Sequence, residues 1–405
     1  MGSIRAAMFS KYLPDFGWEP FVLTAFRISA SPTPIPQLDI DGLPPDDHVV
    51  RVTYTDNDMK TTIRQRTFRE RLRHFVCIEE ANPPGLADRM AAAKLPPGFR
   101  FDVVWATSPG QVPLRIARDV ARARGTPWVA DLRDIEEQEW GGDQSLRSRL
   151  FRVRSRSRRT RLLRTAAEIV TVSRHHAQTL ERTCGRPVHV IPNGFDEAAF
   201  PEDATPSPKR FNIAYAGRIL SEHLRNPKPL FAALDSLVST NAICPDDVRV
   251  DFVGTEPGIL EQLLDGYQCG TMVRAVPAVS HAEVPAILQS SQILLVLTNH
   301  GRKGILTTKL FEYLGARRPI LCVPDEGGEL TTLLQQTNAG TAASDPVAIA
   351  DQIKRWYDEW KAADIVSFHG RESEIMKYSR RSQTGNLAKV LEDACNTSTL
   401  HSVDG

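Results

Sequence analysis

Gly304-Ile-Leu-Thr-Thr-Lys-Leu-Phe-Glu-Tyr-Leu-Gly-Ala-Arg-Arg-Pro-Ile-Leu-Cys-Val-Pro324, preceded by Ile293-Leu-Leu-Val-Leu297, is the stretch whose reading decides the fold. The run at 293–297 is short, continuous and apolar, as a buried parallel strand is. A loop from Thr298 to Gly304 leads into a helix expected to start at Thr307 or Thr308. Leu310, Phe311 and Leu314 fall on one apolar face of that helix. Gly315 is expected to close it, and Pro319–Val323 to form the next strand. In this order of elements an α/β sheet can bind an anion, because free amide N–H groups and the positive dipole end converge at the helix start. Lys309 adds a full charge there, and Glu312, one turn further in, can reach the same edge. An ordinary βαβ unit with a surface lysine and glutamate is the alternative on spacing alone.

At 405 residues the chain is long for one core, so two domains are expected. Hydrophobic residues at 41% and charged residues at 24% place it among globular proteins. A net charge of +1 gives no global pull toward nucleic acid or membrane, so any such signal must be local. The six cysteines form no CxxC or Cys/His cluster, which argues against a zinc site or a disulfide framework. Cys322, inside a strand run, reads as a small core residue. No apolar stretch approaches the roughly 20 residues needed to cross a bilayer, and a cytoplasmic location is expected.

Outward from the opening stretch, both halves of the chain alternate strands and helices. In the first half, Met1–Leu13 is expected to be helical with Ile4, Met8 and Tyr12 or Leu13 on one side. Strands are expected at Pro20–Thr24, Val49–Tyr54, Phe101–Thr107, Trp128–Leu132, Glu168–Ser173 and Val188–Ile191, with a basic helical segment at Lys60–Arg73. Ligands collect at the carboxyl ends of such parallel strands, which puts Thr107, Ser108, Arg133 and Asp134 on one rim. The second half restarts the rhythm at Phe211–Ala216. The expected architecture is α/β, with two doubly wound Rossmann-like domains facing a cleft. The first domain spans 1–196, a linker 197–210 and the second domain 211–365. A C-terminal helix at 366–395 is expected to return to the first domain, and 396–405 to be a disordered tail.

Residues 147–164 carry nine arginines, with Leu150, Phe151, Val153, Leu162 and Leu163 between them. A solvated helix face is one reading, and peripheral contact with an anionic membrane is the other. Nucleic acid fits less well, since aromatic residues for stacking are scarce and the rest of the chain is not basic.

Four groups of residues carry a family resemblance: Lys11-Tyr-Leu-Pro-Asp-Phe-Gly-Trp-Glu-Pro-Phe-Val-Leu-Thr24, Val190-Ile-Pro-Asn-Gly-Phe-Asp196, Ala216-Gly-Arg218, and Lys309-Leu-Phe-Glu-Tyr-Leu314 with Arg318-Pro-Ile320. In this order they resemble bacterial family-4-type retaining glycosyltransferases of the GT-B fold, and the likeness runs from residue 2 to about 392. The resemblance implies an enzyme that moves a sugar from a nucleoside diphosphate to a hydroxyl acceptor, a lipid-linked glycan or a small molecule, in surface polysaccharide or glycoconjugate synthesis. It implies that Arg218 binds the diphosphate, with Arg225 or Lys228 as a second cation. Thr307, Thr308 and Lys309 lie against the phosphates, and Glu312 accepts hydrogen bonds from the ribose. No metal or other cofactor is expected, and the site is placed in the cytoplasm or at the inner face of the cell membrane.

Three departures stand beside the likeness. Many relatives carry a second glutamate eight positions before Glu312, where this chain has Gly304. Backbone groups at Gly304, with Asn299 and His300 as spare polar candidates, would then meet the sugar. The place of an active-site histidine is taken by Arg133 and Asp134, which either shape the acceptor side or form a buried pair bracing their strand. Relatives also open with a central strand and a glycine-rich loop, and here Gly2-Ser-Ile-Arg5 matches only the tail of that loop. Residues 1–405 alone are therefore expected to be poorly stable or inactive. A nucleotide-sugar epimerase of the same fold and an N-terminally truncated relative that only binds nucleotide are the rival readings.

Overall fold

A computed structural model describes residues 4–28, 44–55, 90, 100–108, 110–138, 146–201, 205–206, 209–219, 222, 225–298 and 304–401. The basic segment 60–73, Asn299 and His300 lie outside the described residues. The chain divides into two compact units, 1–192 with 384–405, and 193–383.

The first unit opens with helix α1 (Ile4–Tyr12), a 3₁₀ turn at Leu13–Phe16, and Gly17 in the left-handed region at φ 78°. Strands β1 (Val22–Ile28) and β2 (Val49–Thr55) pair in parallel. Then follow β3 (Val104–Ser108), α2 (Gln111–Arg124), β4 (Trp128–Leu132), α3 (Leu146–Leu163), β5 (Glu168–Thr171), α4 (Arg174–Cys184) and β6 (His189–Val190). The last four strands make a second parallel sheet in sequence order. Among the described residues β1 pairs only with β2 and β3 only with β4, so this unit carries two separate sheets.

The buried side of α1 runs through Arg5, Met8 and Phe9 toward Leu13; of the expected Ile4, Met8 and Tyr12 or Leu13, Met8 and Leu13 are buried, while Ile4 and Tyr12 are half-buried. Arg5 is buried because of Asp131 on β4, which is wholly buried and draws the guanidinium inward. Arg5 Nε and Nη2 donate to its two carboxylate oxygens at 2.8 and 3.2 Å. Arg5 Nη2 and Nη1 also donate to the carbonyls of Ile191 and Pro192 at 2.8 and 3.0 Å. Phe9 packs edge-on against Trp105 beside this pair. The Arg–Asp pair bracing β4 is thus Arg5–Asp131, and Arg133–Asp134 is not an ion pair.

The second unit contains β7 (Phe211–Ala216), α5 (Lys228–Ser239), β8 (Val248–Val253), α6 (Pro257–Leu264), β9 (Val273–Val276) and α7 (Val284–Gln289). It continues with β10 (Ile293–Leu297), α8 (Thr308–Ala316), β11 (Ile320–Val323), α9 (Glu329–Thr337), β12 (Gly340–Ala342), α10 (Pro346–Ala363) and α11 (Glu372–Ile375). The sheet order β12-β11-β10-β7-β8-β9 is parallel throughout. The chain winds outward from β7 to β9, returns to the middle at β10, and winds outward the other way. That reversal leaves a crevice beyond the carboxyl ends of β7 and β10, where ligands collect in such sheets. Period-two alternation in β7 sends Phe211, Ile213 and Tyr215 into a core with α5 and α10, and Ala214 and Ala216 into a core with α8 and α9. The small side chains on the second face let α8 approach the sheet closely.

Gly315 does not close α8. It lies inside the helix, where an added Cβ would meet the Phe200 ring at 2.6 Å. The terminating residue is Arg317, in the left-handed region at φ 53°. Its Nη1 donates to the carbonyls of Leu314 and Gly315, and its Nη2 pairs with Glu372. Residues 366–383 stay with the second unit, where Ile375 is buried and Arg380 N donates to Phe195 O at 2.7 Å. Helix α12 (Arg380–His401) carries the chain back into the first unit. It does not stop at 396 as expected: no proline or glycine interrupts 396–401, and Thr397 Oγ1 bonds back to Asp393 O at 2.8 Å.

Removing one partner of the Arg5–Asp131 pair leaves a charge or polar group buried and alone. Arg5→Leu is expected to lower stability by about 3–5 kcal/mol in urea unfolding. Arg5→Leu with Asp131→Leu is expected to recover more than half of that loss.

Candidate functional site

Three side chains at the carboxyl end of β7 are tied to one hydroxyl. Tyr215 is 1% exposed, and its ring lies in the core while its oxygen reaches the crevice edge. Lys309 Nζ donates to that oxygen at 2.9 Å and sits 4.2 Å from the ring centroid. Arg225 Nη1 donates to it at 2.8 Å and to the Arg218 carbonyl at 3.0 Å. Two cations share a neutral acceptor, and neither forms an ion pair among the described residues. Burial first, and then the Arg225 guanidinium, push the Lys309 ammonium down to about 7, with Glu312 opposing. Burial raises the Tyr215 phenol, so it stays protonated.

Gly217 makes room for this arrangement. Its φ is 146°, and a Cβ there would lie 1.6 Å from Lys309 Nζ. Its own polar groups are held: Gly217 N donates to Val253 O at 2.7 Å, and Thr255 Oγ1 donates to Gly217 O at 2.8 Å. The next residue, Arg218, is exposed, and its guanidinium has no partner among the described residues.

Helix α8 begins at Thr308 with Thr307 as its N-cap, and no side chain caps its first amides. Gly304, before it, adopts φ 81°, a left-handed turn that favours glycine. Tyr313 fixes the helix to the sheet: its hydroxyl accepts from Ala216 N at 2.9 Å, satisfying an amide at the end of β7. One turn below Lys309, Glu312 faces His281, with Nε2–Oε1 at 3.3 Å. The Glu312 hydrogen bond raises the His281 imidazole above its ordinary range, and Arg380 opposes this. His281 is presented by a capping box in which Ser280 and Glu283 bond reciprocally.

Uncapped amides, a buried ammonium and two guanidiniums around one crevice edge form a cradle for a multiply charged anion. Lys228 does not join it. That ammonium pairs with Glu222 at 2.9 Å on the exposed start of α5.

Residues 3–194 match the family described as glycosyl transferase 4-like domain, and residues 231–384 match the one described as glycosyl transferase-like. Each half of the chain carries a glycosyltransferase domain. No curated protein matches the chain at a significant level. Among solved structures it is similar to a sucrose-phosphate synthase from Thermosynechococcus elongatus, at TM-score 0.63 and 15% identity over 96% of this chain and 92% of that one. It is also similar to Anabaena Alr3699/HepE, solved with UDP and glucose, at TM-score 0.57 and 14% identity over 85% and 86% of the two chains. The N-terminal domain of Candida albicans trehalose-6-phosphate phosphatase gives TM-score 0.58 and 12% identity over 97% and 94%. At these identities the likeness is one of fold, with two Rossmann-like domains as in GT-B glycosyltransferases.

In the N-terminal glycosyltransferase domain, the rim after β4 carries Arg133 and Asp134. Arg133 N donates to Ser108 O at 3.2 Å, but its buried Nε has no partner among the described residues. Burial lowers the Arg133 guanidinium and raises the Asp134 carboxyl. The structure does not bring these two into a hydrogen bond with each other.

In the C-terminal domain, Arg218, Arg225, Thr307, Thr308, Lys309 and Glu312 lie around the carboxyl ends of β7 and β10. Sequence reasoning missed Tyr215 and His281. Tyr215 carried a signal: a polar-tipped aromatic at the next-to-last position of a buried strand, two residues before Gly217. His281 carried none, since its partner lies 31 positions away.

The depressed Lys309 ammonium has a defined pH consequence. The unfolded chain, with an ordinary lysine, binds more protons than the folded one between about pH 7 and 10.5, so stability rises with pH across that window. Lys309→Met is therefore expected to melt higher than the parent at pH 7, with the gain shrinking toward pH 10. The same variant is expected to bind a nucleoside diphosphate about 10- to 100-fold more weakly in calorimetry. Proton uptake on binding, expected in the parent between pH 7 and 9, is expected to be absent in the variant.

Proposed function

We propose that this protein is a glycosyltransferase that moves a sugar from a nucleoside diphosphate to a hydroxyl acceptor. The observation that carries the reading is the cradle of Arg218, Arg225, Lys309 and the uncapped start of α8 at the reversal between β7 and β10. The bond from the anomeric carbon to the diphosphate breaks with its electron pair leaving on the diphosphate. The acceptor oxygen forms the new bond and gives up its proton to the departing diphosphate. Negative charge grows on the leaving group as this happens, and fixed cations already in place stabilise it without reorganisation. Arg218 and Arg225 supply permanent charge, and Lys309 gains its proton as the diphosphate arrives. Glu312, beside His281, is suited to accept hydrogen bonds from the ribose hydroxyls.

The family resemblance supports retention of anomeric configuration, a bacterial source, and a role in surface polysaccharide or glycoconjugate synthesis in the cytoplasm. Gly304 places backbone rather than a carboxylate near the sugar. On the acceptor side we assign Asp134 to orient the hydroxyl and Arg133 to hold the acceptor. Charge on the leaving group is met by side chains and amides, and no metal ion is invoked.

A panel of nucleotide-sugars, beginning with UDP-glucose, tests the reading by thermal shift and product analysis. One donor class is expected to raise the melting temperature and to yield glycosylated acceptor, and EDTA is expected to leave turnover unchanged. Arg218→Ala is expected to lower kcat/KM by about 10²- to 10³-fold. Asp134→Ala is expected to abolish transfer with an unchanged melting temperature. Release of an epimerised sugar without acceptor, or donor binding without turnover by any acceptor, would overturn the proposal.

A further inference from the structure

One face of helix α3 is tied to the first unit by a set of side-chain bonds. Arg159 on that face is 2% exposed, and its Nη1 and Nη2 bond Glu137 at 2.7 and 2.8 Å. Ser155 Oγ bonds Glu136 at 2.5 Å, and Gln111 Nε2 reaches both Ser155 O and Glu136 at 2.9 and 2.6 Å. Leu162 and Leu163 are buried beside them. Positions 155, 159, 162 and 163 follow helical spacing, so the opposite face is held outward.

That outward face is not a plain solvated surface. Leu150 and Val153, one turn apart, are 58% and 62% exposed. Ser157 continues their line, and exposed Arg149, Arg154, Arg161 and Arg164 flank it. The helix contains no carboxylate, while the whole chain is balanced at +1, so the positive charge is concentrated here. Arg149, Arg158 and Arg164 form no side-chain hydrogen bond or ion pair among the described residues.

We propose that the outward face of α3 lies on an anionic lipid surface. Leu150 and Val153 enter the boundary between headgroups and acyl chains, and the arginines on both flanks bond lipid phosphates. Guanidinium suits this role because its planar fork matches phosphate oxygens and it sheds water more readily than an ammonium. Two exposed aliphatic side chains amid arginines match a bilayer interface, with its apolar depth and negative plane, better than a nucleic acid, which offers bases to stack on. No helix among the described residues is long and apolar enough to cross a membrane, so the contact is one of lying on the surface. It does not depend on the donor chemistry of the second unit.

Co-sedimentation of the full chain with vesicles provides the test. The parent is expected to bind phosphatidylcholine–phosphatidylglycerol vesicles, to ignore pure phosphatidylcholine, and to be released by high salt. Each arginine near the surface contributes about a fivefold factor in partitioning. Reversing Arg149, Arg161 and Arg164 to Glu together is thus expected to weaken binding by about 100-fold or more. Leu150→Ser with Val153→Ser is expected to weaken it by about tenfold or more at constant charge. Both variants are expected to melt like the parent, because none of these residues is anchored in the core. A dye on Val153→Cys is expected to shift to the blue with anionic vesicles only. Absence of vesicle binding, binding indifferent to both sets of substitutions, or an unshifted dye overturns the proposal. Salt-sensitive binding of single-stranded RNA without vesicle binding would assign the face to nucleic acid instead.

Discussion

A lysine ammonium held on the hydroxyl of a buried tyrosine, with a guanidinium on the same oxygen, is the interaction on which the second unit's site depends. Two cations this close repel each other, and burial adds a desolvation cost that drives Lys309 toward its neutral form. The arrangement persists because the surrounding structure over-determines it. Gly217 yields its Cβ space to the ammonium, Tyr313 pins α8 to the last amide of β7, and Ala214 and Ala216 let that helix sit close. A site that is electrostatically unsatisfied when empty is pre-organised for an anion that satisfies it.

The sheet topology explains why these parts meet. Reversal of winding between β7 and β10 carries the helices that follow them, α5 and α8, to opposite faces of the sheet. Arg218 and Arg225 come from the loop after β7, and the start of α8 from the loop after β10. Glu312 lies one turn inside the helix from Lys309, so the carboxylate and the ammonium are separated by helical rise. His281, on a turn stiffened by its capping box, holds the glutamate from outside the helix.

The first unit is built around a different buried charge pair. Asp131 lies wholly buried on β4, and Arg5 reaches it from α1 while bonding the two carbonyls where the chain leaves the unit. One arginine thus joins the first helix, a central strand and the exit segment. Arg133 and Asp134, two and three residues further on, form no ion pair with each other.

Alternation of apolar runs with turn residues was enough to read the α/β architecture, the two halves and the start of α8, because parallel strands buried on both faces cannot hide their composition. The cationic residues Arg218, Arg225 and Lys309 were also legible, since strand ends and helix starts are local features. Other features were not legible for definite reasons. Gly315 reads as a helix stop by type, yet it serves close packing against Phe200, which only the folded chain brings near. Nothing local marks Arg5 for burial, because its partner Asp131 lies 126 positions away. Tyr215, His281 and the choice of Arg225 over Lys228 depend on distances between elements far apart in sequence. The sequence by itself determined which elements form and where charge collects at their ends, because propensity and periodicity act locally. Only the tertiary structure decided which charges are buried, which are paired and which are left for a ligand, because desolvation and pairing depend on neighbours that the chain supplies from a distance.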